Sequence, residues 1–233
     1  VVTTTIFWSL GVASLVQVAT ANAETFPTLV AGQMVKVVGK APIYVINGKG
    51  EALYYPTGDE FKSWFSDTVY KGKYTPITMA HFDTLKVPAV QPISAGYRPG
   101  ATLVKRESSN TLFVVQPGNT LAEVDAAVAT SLGYSTSKAF EVKLNAWGAY
   151  TGRADKITSA VAHPGMFVKV NNVNYYVDAT KKLREVTAAA LSANGIKSTF
   201  VHSLGASVIA GLATGVKIDG ALAELKDSTQ TGL

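Results

Sequence analysis

Hydrophobic and polar positions follow the same order three times along the chain. Each copy opens with an apolar stretch that closes on a Val-Lys pair: Val35-Lys36, Val104-Lys105 and Val168-Lys169. The pairs lie 69 and 64 residues apart. This spacing indicates an internal repeat, so the same elements are expected in every copy.

Three short strands are predicted in each copy. After the Val-Lys pair and a polar turn comes an aromatic and aliphatic run that suits a half-buried strand: Ile43-Tyr44-Val45, Leu112-Phe113-Val114 and Tyr175-Tyr176-Val177. Turn residues follow, and Asn-Gly or Pro-Gly pairs of this kind favour tight hairpins. A third strand is predicted to begin at Leu53, Leu121 and Leu183. Each copy is therefore a small β-meander.

A helix is predicted after each meander. Its N-terminal cap is Thr57, Asp125 or Thr187, whose side-chain oxygen can accept a hydrogen bond from a free backbone N–H. Gly133 and Gly195 are predicted to end the second and third helices, since glycine enters the left-handed conformation without penalty.

A weaker second half of the repeat predicts one more strand and one more helix. The strands centre on Ile77, Val142 and Val201. Candidate helix caps follow at Thr78, Asn145 and Ser203.

These patterns predict an α+β fold. An N-terminal apolar segment, interpreted as a helix, precedes three small repeated β-meander-plus-helix modules. The predicted boundaries are residues 1–26 for the apolar assembly segment, 27–98 for module 1, 99–162 for module 2 and 163–233 for module 3.

The apolar segment carries no charged side chain in its first 23 residues. Ala21-Asn22-Ala23 before Glu24 has the small-x-small pattern of a signal peptidase site, although residues 1–23 contain none of the lysines or arginines that open a secretory signal. As a helix the segment would extend roughly 34 Å, enough to cross a hydrocarbon layer of about 30 Å. We expect it to be retained for assembly, although the mature N-terminus, Val1 or Glu24, stays open.

A bundle of identical segments would bury their apolar side chains on all sides. The predicted assembly residues are Ile6, Phe7, Trp8, Leu10, Val12, Leu15, Val16 and Val18. The threonines at positions 3–5 leave a second possibility open, in which the segment is a donor strand that fills the sheet of the next subunit.

Composition narrows the functional classes. The chain has 233 residues, 47% of them hydrophobic, and can bury a substantial core. It has no cysteine, which excludes disulfides, thiolate metal sites and a cysteine nucleophile. Its net charge of +5 is spread along the chain without a basic run interleaved with aromatics, so no specific nucleic-acid partner is expected.

No catalytic motif is recognisable, and the protein is predicted not to be an enzyme. The histidines, His81, His163 and His202, occupy different places in the three copies. The acidic pairs Asp59-Glu60 and Glu123-Asp125 lie at helix starts, where negative charge is favourable without catalysis.

A calcium site and a sugar-binding site are two further functional possibilities. Asp155 and Asp219 lack the ligand spacing of a calcium loop, so no metal and no cofactor is expected. The aromatics, including Tyr54, Tyr55, Trp64, Phe65, Tyr70, Tyr97, Trp147, Tyr150, Tyr175 and Tyr176, are interpreted as core, with a sugar-stacking platform as the alternative.

An apolar N-terminal segment followed by a β-rich head resembles the subunits of type IV pili and related surface filaments. The repeats, with VK…YYV and YRPG, resemble secreted multi-unit surface proteins of uncultivated small-genome bacteria. This resemblance implies an extracellular structural protein that polymerises with itself, is membrane-inserted before assembly and meets surface glycans. The alternative is a secreted cell-envelope or S-layer-type protein with glycan-binding modules.

Overall fold

Three β-sheets, one in each predicted module, dominate the computed structural model. The structure describes residues 25–65, 74–85, 95–150 and 152–226, so most of the predicted apolar segment lies outside it. Within these ranges the fold is mixed α+β, with sheets of four or five strands and short helices. None of the described helices has the length and apolar character needed to cross a membrane.

Module 1 contains a four-stranded sheet. Its elements are β1 (Met34–Val37), β2 (Ile43–Ile46), β3 (Ala52–Tyr54), α1 (Gly58–Trp64), β4 (Thr75–Ile77) and α2 (Met79–Thr84). The strand order is β3-β2-β1-β4. The first three strands form an antiparallel meander, and β4 returns after α1 to pair parallel with β1.

Module 2 repeats this arrangement and adds an edge strand. Its elements are β5 (Leu103–Arg106), β6 (Phe113–Gln116), β7 (Thr120–Val124), α3 (Ala126–Ser131), β8 (Phe140–Val142), α4 (Leu144–Trp147) and β9 (Gly152–Ile157). The order is β8-β5-β6-β7-β9. Short 3-10 turns occupy Pro117–Asn119 and Thr136–Lys138.

The sheet of module 3 has the same strand order as that of module 1, but the second helix predicted for this copy is wrong, because a 3-10 turn at Ala206–Ile209 takes its place. Its elements are β10 (Phe167–Val170), β11 (Val173–Val177), β12 (Leu183–Glu185), α5 (Ala188–Ala193) and β13 (Val201–Ser203). The order is β12-β11-β10-β13, with 3-10 turns at Ser198–Phe200, Ala206–Ile209 and Ala223–Lys226. The predicted meander, helix and returning strand are therefore confirmed in all three copies.

The first strand of each sheet carries the Val-Lys pair and lies in the interior of the sheet, between two neighbouring strands. Val35, Val104 and Val168 are completely buried, and the following lysines are half-buried. Successive side chains of a strand point to opposite faces, so each pair places one apolar side chain in the core and one cation on the other face.

The helix caps were predicted with mixed success. Thr57, Thr78 and Thr187 accept hydrogen bonds from the backbone N–H three residues ahead, as predicted. Asp125 holds the cap position of α3 without a side-chain cap bond, because its carboxylate pairs instead with Lys156 at 2.7 Å.

The two remaining cap predictions are wrong. Asn145 lies inside α4, whose cap is Lys143, and Ser203 lies in β13, where it pairs with Lys169 of the parallel strand β10. The cap of the following 3-10 turn is Gly205. In both places the predicted cap lies two residues from the observed one, whose position depends on how the preceding strand pairs.

The chain leaving each module returns to the third strand, a feature that the sequence pattern missed. In module 2 this segment is β9, which pairs parallel with β7. In module 3, Thr214 and Ile218 form parallel bridges with β12 and the residue that follows it. In module 1 the N–H of Ala95 donates to the carbonyl of Tyr54 at 2.8 Å.

The modules pack directly on one another. One hydrophobic cluster joins module 2 residues such as Leu103 and Leu132 to module 3 residues such as Met166 and Val177. A larger apolar interior shared by the two modules stabilises both, since burial contributes roughly 25 cal/mol per Å² of apolar surface. The three sheets fall inside the predicted module ranges, whose boundaries stay predictions.

Candidate functional site

A cleft of about 420 Å³ opens where segments of all three modules meet. Module 1 contributes α1, and modules 2 and 3 contribute the segments that follow α3 and α5. The lining residues are Asp59, Lys62, Ser63, Ala101, Thr102, Leu103, Gly133, Tyr134, Ser135, Lys138, Phe140, Lys197, Thr199, Phe200 and His202. We call this the three-module cleft.

The charged side chains of the three-module cleft are mainly cationic. Lys62 and Lys138 are exposed, and among the described residues neither forms an ion pair. Lys197 donates to the backbone carbonyl of Lys62, and its ammonium lies 5.2 Å from the centre of the Phe200 ring. Asp59 is the acidic residue of the lining, so the cleft carries a positive field.

A buried hydrogen-bond network lies behind the cleft wall. The Tyr134 hydroxyl is 3.0 Å from the Gly100 carbonyl and 2.8 Å from His163 Nε2, and His163 Nδ1 is 3.0 Å from the Pro164 carbonyl. These three contacts need three protons, whereas Tyr134 and a neutral His163 supply two. A protonated imidazole would complete the network, but burial opposes its charge.

Burial sets the titration of this cluster. It lowers the pKa of His163 to about 4, and the neighbouring His202 adds to this effect while the Pro164 carbonyl acts against it. Burial also raises the pKa of Tyr134 above its ordinary range. Both groups are therefore neutral at pH 7.

His202 connects the network to the three-module cleft. Its ring lies 4.6 Å from the ring of Tyr134, and Nδ1 is 3.2 Å from the Gly133 carbonyl, to which it donates. Burial lowers the pKa of His202 as well, and the carbonyls of Gly133 and Gly100 partly offset this. Its Nε2 is buried without a hydrogen-bond partner in the described part of the chain.

The folded state should lose stability as His163 is driven to protonate. An unfolded histidine has a pKa near 6.5, and the folded value is about 4, so the unfolded chain binds more protons between these values. The free energy of unfolding is expected to fall by about 3 kcal/mol as pH drops through this window. Above the window, His163 should cause no loss of stability. Urea titrations across the window measure this directly.

His163→Gln is the matched variant for this measurement, because glutamine keeps hydrogen-bonding groups but does not titrate. The pH dependence of the variant should be shallower than that of the parent chain by about the same 3 kcal/mol. Parallel curves for the two proteins would show that His163 does not carry the effect.

Arg98 is a second buried group at the junction of the modules. Its guanidinium donates to the carbonyls of Leu225 at 2.7 Å, Trp64 at 3.1 Å and Asn194 at 3.4 Å. It also lies 5.3 Å from the Trp64 ring and 6.0 Å from the Phe167 ring. Trp64 ends α1 and Asn194 caps α5, so the cation meets the negative ends of two helices.

The sequence-predicted positions fall in several places. The assembly residues between Ile6 and Val18 lie outside the described residues, as does Tyr70. His81 is buried in module 1 and stacks on Phe26, with ring centres 4.6 Å apart. Asp155 and Asp219 are exposed, and the described ranges hold no group of three His, Asp or Glu side chains placed to bind a metal.

Several of the predicted aromatic residues form core. Trp64, Phe65, Tyr97, Tyr150 and Tyr176 are each less than 9% exposed. Tyr97 stacks on Phe140 and the backbone N–H of Tyr97 donates to the Tyr150 hydroxyl at 3.1 Å. Packing, rather than an open sugar-stacking platform, accounts for these side chains.

Sequence reasoning missed both Arg98 and the His163 network. One signal was available: Arg98-Pro99-Gly100 and His163-Pro164-Gly165 occupy equivalent places before the first strand of modules 2 and 3. In each case the residue before Pro-Gly contacts the preceding module at or just beyond the end of its helix: Arg98 at Trp64, the last residue of α1, and His163 at Tyr134, three residues after α3.

Comparisons with known proteins add no family to this picture. Neither a protein-family model nor a curated protein matches the chain. The functional argument therefore rests on the sequence pattern and on the geometry of the described residues.

Proposed function

We propose that the chain is a structural subunit of a pilus-like extracellular filament, which polymerises through its apolar N-terminal segment and displays the three modules outward. The observation that carries the proposal is the fixed point at which this segment joins the head. Phe26 stacks on the buried His81 with ring planes 7° apart, and Leu29 packs on the core of module 1.

The anchored junction supports assembly through residues 1–23 because it would hold the segment at one place on the head. An uncharged segment of this length gains stability only where its apolar side chains are covered. Copies of the same segment would cover Ile6, Phe7, Leu10 and the other predicted assembly residues. Before assembly, the bilayer would cover them.

A donor strand is the other form of the same proposal. Such a strand would add to an outer edge of a sheet in the next subunit. The strands at the ends of the described sheets include β4, β8 and β13. Pro76 lies within β4 and lacks a backbone N–H, which makes β4 the poorest of the three acceptors.

Removal of residues 1–23 tests the proposal. The truncated chain is expected to remain folded and monomeric, whereas the full chain forms fibres visible by negative-stain electron microscopy. Leu10→Asp with Leu15→Asp is the length-matched variant, and the buried charges should prevent assembly as the deletion does. Fibres formed by the truncated chain would overturn the proposal.

The second candidate is a secreted envelope protein with glycan-binding modules. The three-module cleft favours it, since Phe140 and Phe200 give the cleft wall apolar ring surface beside lysine ammonium groups. This candidate predicts removal of residues 1–23 during secretion and a mature chain that begins at Glu24.

A further inference from the structure

We propose that the three-module cleft is a binding site for a small ligand that carries a phosphate or carboxylate group. The proposal concerns the head alone and does not depend on filament assembly. The shared chemistry is an anionic oxygen group on a molecule of about the size of a sugar ring, supplied either as a phosphate ester or as an acidic saccharide.

Charge is the first reason for this assignment. Some lysines of the head are neutralised locally, as in Lys143 with Glu107 and Lys156 with Asp125, whereas others, such as Lys40 and Lys49, are exposed on turns outside the cleft. Lys62 and Lys138 form no ion pair within the described ranges although they face the same cleft. A lysine ammonium is a flexible point charge, which suits anionic oxygens of varied geometry.

Convergence of the modules is the second reason. Lys62 lies on α1 of module 1, Lys138 on the 3-10 turn after α3 of module 2, and Lys197 just after α5 of module 3. The three segments are far apart in sequence, and packing of the modules brings them to one cleft. Such an arrangement gathers three cations at one cleft, which favours a bound anion.

Shape and lining are the third reason. A volume of about 420 Å³ lies within the range of small-molecule sites. The wall combines the apolar surfaces of Phe140, Leu103 and Phe200 with the hydroxyls of Ser135 and Thr199. This mixture fits a ligand that has both an anionic group and a hydroxylated, partly apolar ring.

The protonation of His202, in the wall of the cleft, is expected to respond to a bound anion. Its Nδ1 is committed to the Gly133 carbonyl, and its Nε2 is buried without a partner among the described residues. A negative charge in the cleft would favour the doubly protonated ring and oppose the effect of burial, which lowers the pKa of His202.

Isothermal titration of the full chain with inorganic phosphate, glucose 6-phosphate, glucuronate and glucose at low ionic strength tests the site. Saturable binding of an anionic probe, with none of glucose, is expected. Binding of the phosphates alone identifies a phosphate ester, and binding of glucuronate identifies an acidic saccharide. Failure of all three anionic probes to bind, or equal binding of glucose, would overturn the proposal.

Paired variants separate a local site from general charge. Lys62→Gln with Lys138→Gln should weaken binding of the anionic probe about tenfold. Lys40→Gln with Lys49→Gln removes the same charge from exposed turns outside the cleft and should change affinity by less than about twofold. An equal loss in both variants would show attraction to the whole surface and no site. Unchanged melting temperatures establish that the exposed substitutions leave the fold intact.

Discussion

Arg98→Ala should lower the free energy of unfolding of the head by about 3 to 5 kcal/mol, because it leaves buried carbonyl groups without their donor and opens a cavity where the modules meet. The Arg98 side chain is 3% exposed, and its guanidinium donates to backbone carbonyls in module 1, module 3 and the C-terminal segment. Loss of the guanidinium leaves the carbonyls of Trp64 and Leu225 buried without this donor.

Burying the Arg98 cation carries an electrostatic cost, which lowers its pKa. Burial lowers the pKa of Arg98 to about 10, yet the group stays charged at neutral pH. Carbonyl oxygens at the C-terminal ends of α1 and α5 carry partial negative charge, which offsets part of that cost. Because Arg98 of module 2 bonds to carbonyls of modules 1 and 3, its substitution should separate the modules before it disrupts any single sheet.

Urea denaturation followed by circular dichroism measures the effect. Arg106→Ala is the matched control, since Arg106 is exposed at the end of β5 and its loss should change stability by less than about 0.5 kcal/mol. Arg98→Lys should recover only part of the lost stability, because an ammonium lacks the planar set of donors. Equal stability of the Arg98→Ala and Arg106→Ala chains would contradict this role.

Gly100→Ala should cost about 4 kcal/mol, from two separate effects. The residue has φ +71°, where a side chain adds about 1 to 2 kcal/mol of strain. A Cβ atom would also lie 2.2 Å from the carbonyl oxygen of Gly165, so the Pro-Gly turns of modules 2 and 3 would have to move apart.

Gly39→Ala is the control that measures backbone strain alone, without a contact between modules. Gly39 has φ +76°, and a Cβ built on it meets nothing within 4 Å. Its substitution should cost only about 1 to 2 kcal/mol. The difference in urea midpoint between the two variants reports the close approach of Gly100 and Gly165, and equal midpoints would exclude it.

The repeated strands were predictable because their signals are local. A Val-Lys pair alternates an apolar with a polar side chain, and the aromatic run and the leucine after a turn are residue types that favour strands. The short turns then determine how these strands pair. Threonine caps were predictable for the same reason: at Thr57, Thr78 and Thr187 the hydroxyl reaches a backbone N–H three residues ahead.

Features that depend on distant residues escaped prediction. Strand β9, Gly-Arg-Ala-Asp-Lys-Ile, has a polar composition and becomes a strand because β7 offers it a free edge. In the sequence Arg98 is a cation before a Pro-Gly turn, and its buried position depends on the distant carbonyls of Asn194 and Leu225, to which it donates. The three-module cleft is likewise invisible in the sequence, since its lysines come from three modules.

The filament proposal requires that residues 1–23 are retained in the mature protein, joined to the packed head at Phe26. The first basic residue of the chain is Lys36, so trypsin leaves residues 1–23 joined to the start of the head. Mass spectrometry of tryptic peptides from the native surface material tests the claim most directly. We expect a peptide that ends at Lys36 and contains residues 1–23. A peptide that runs from Glu24 to Lys36, with no trace of the longer form, would contradict it.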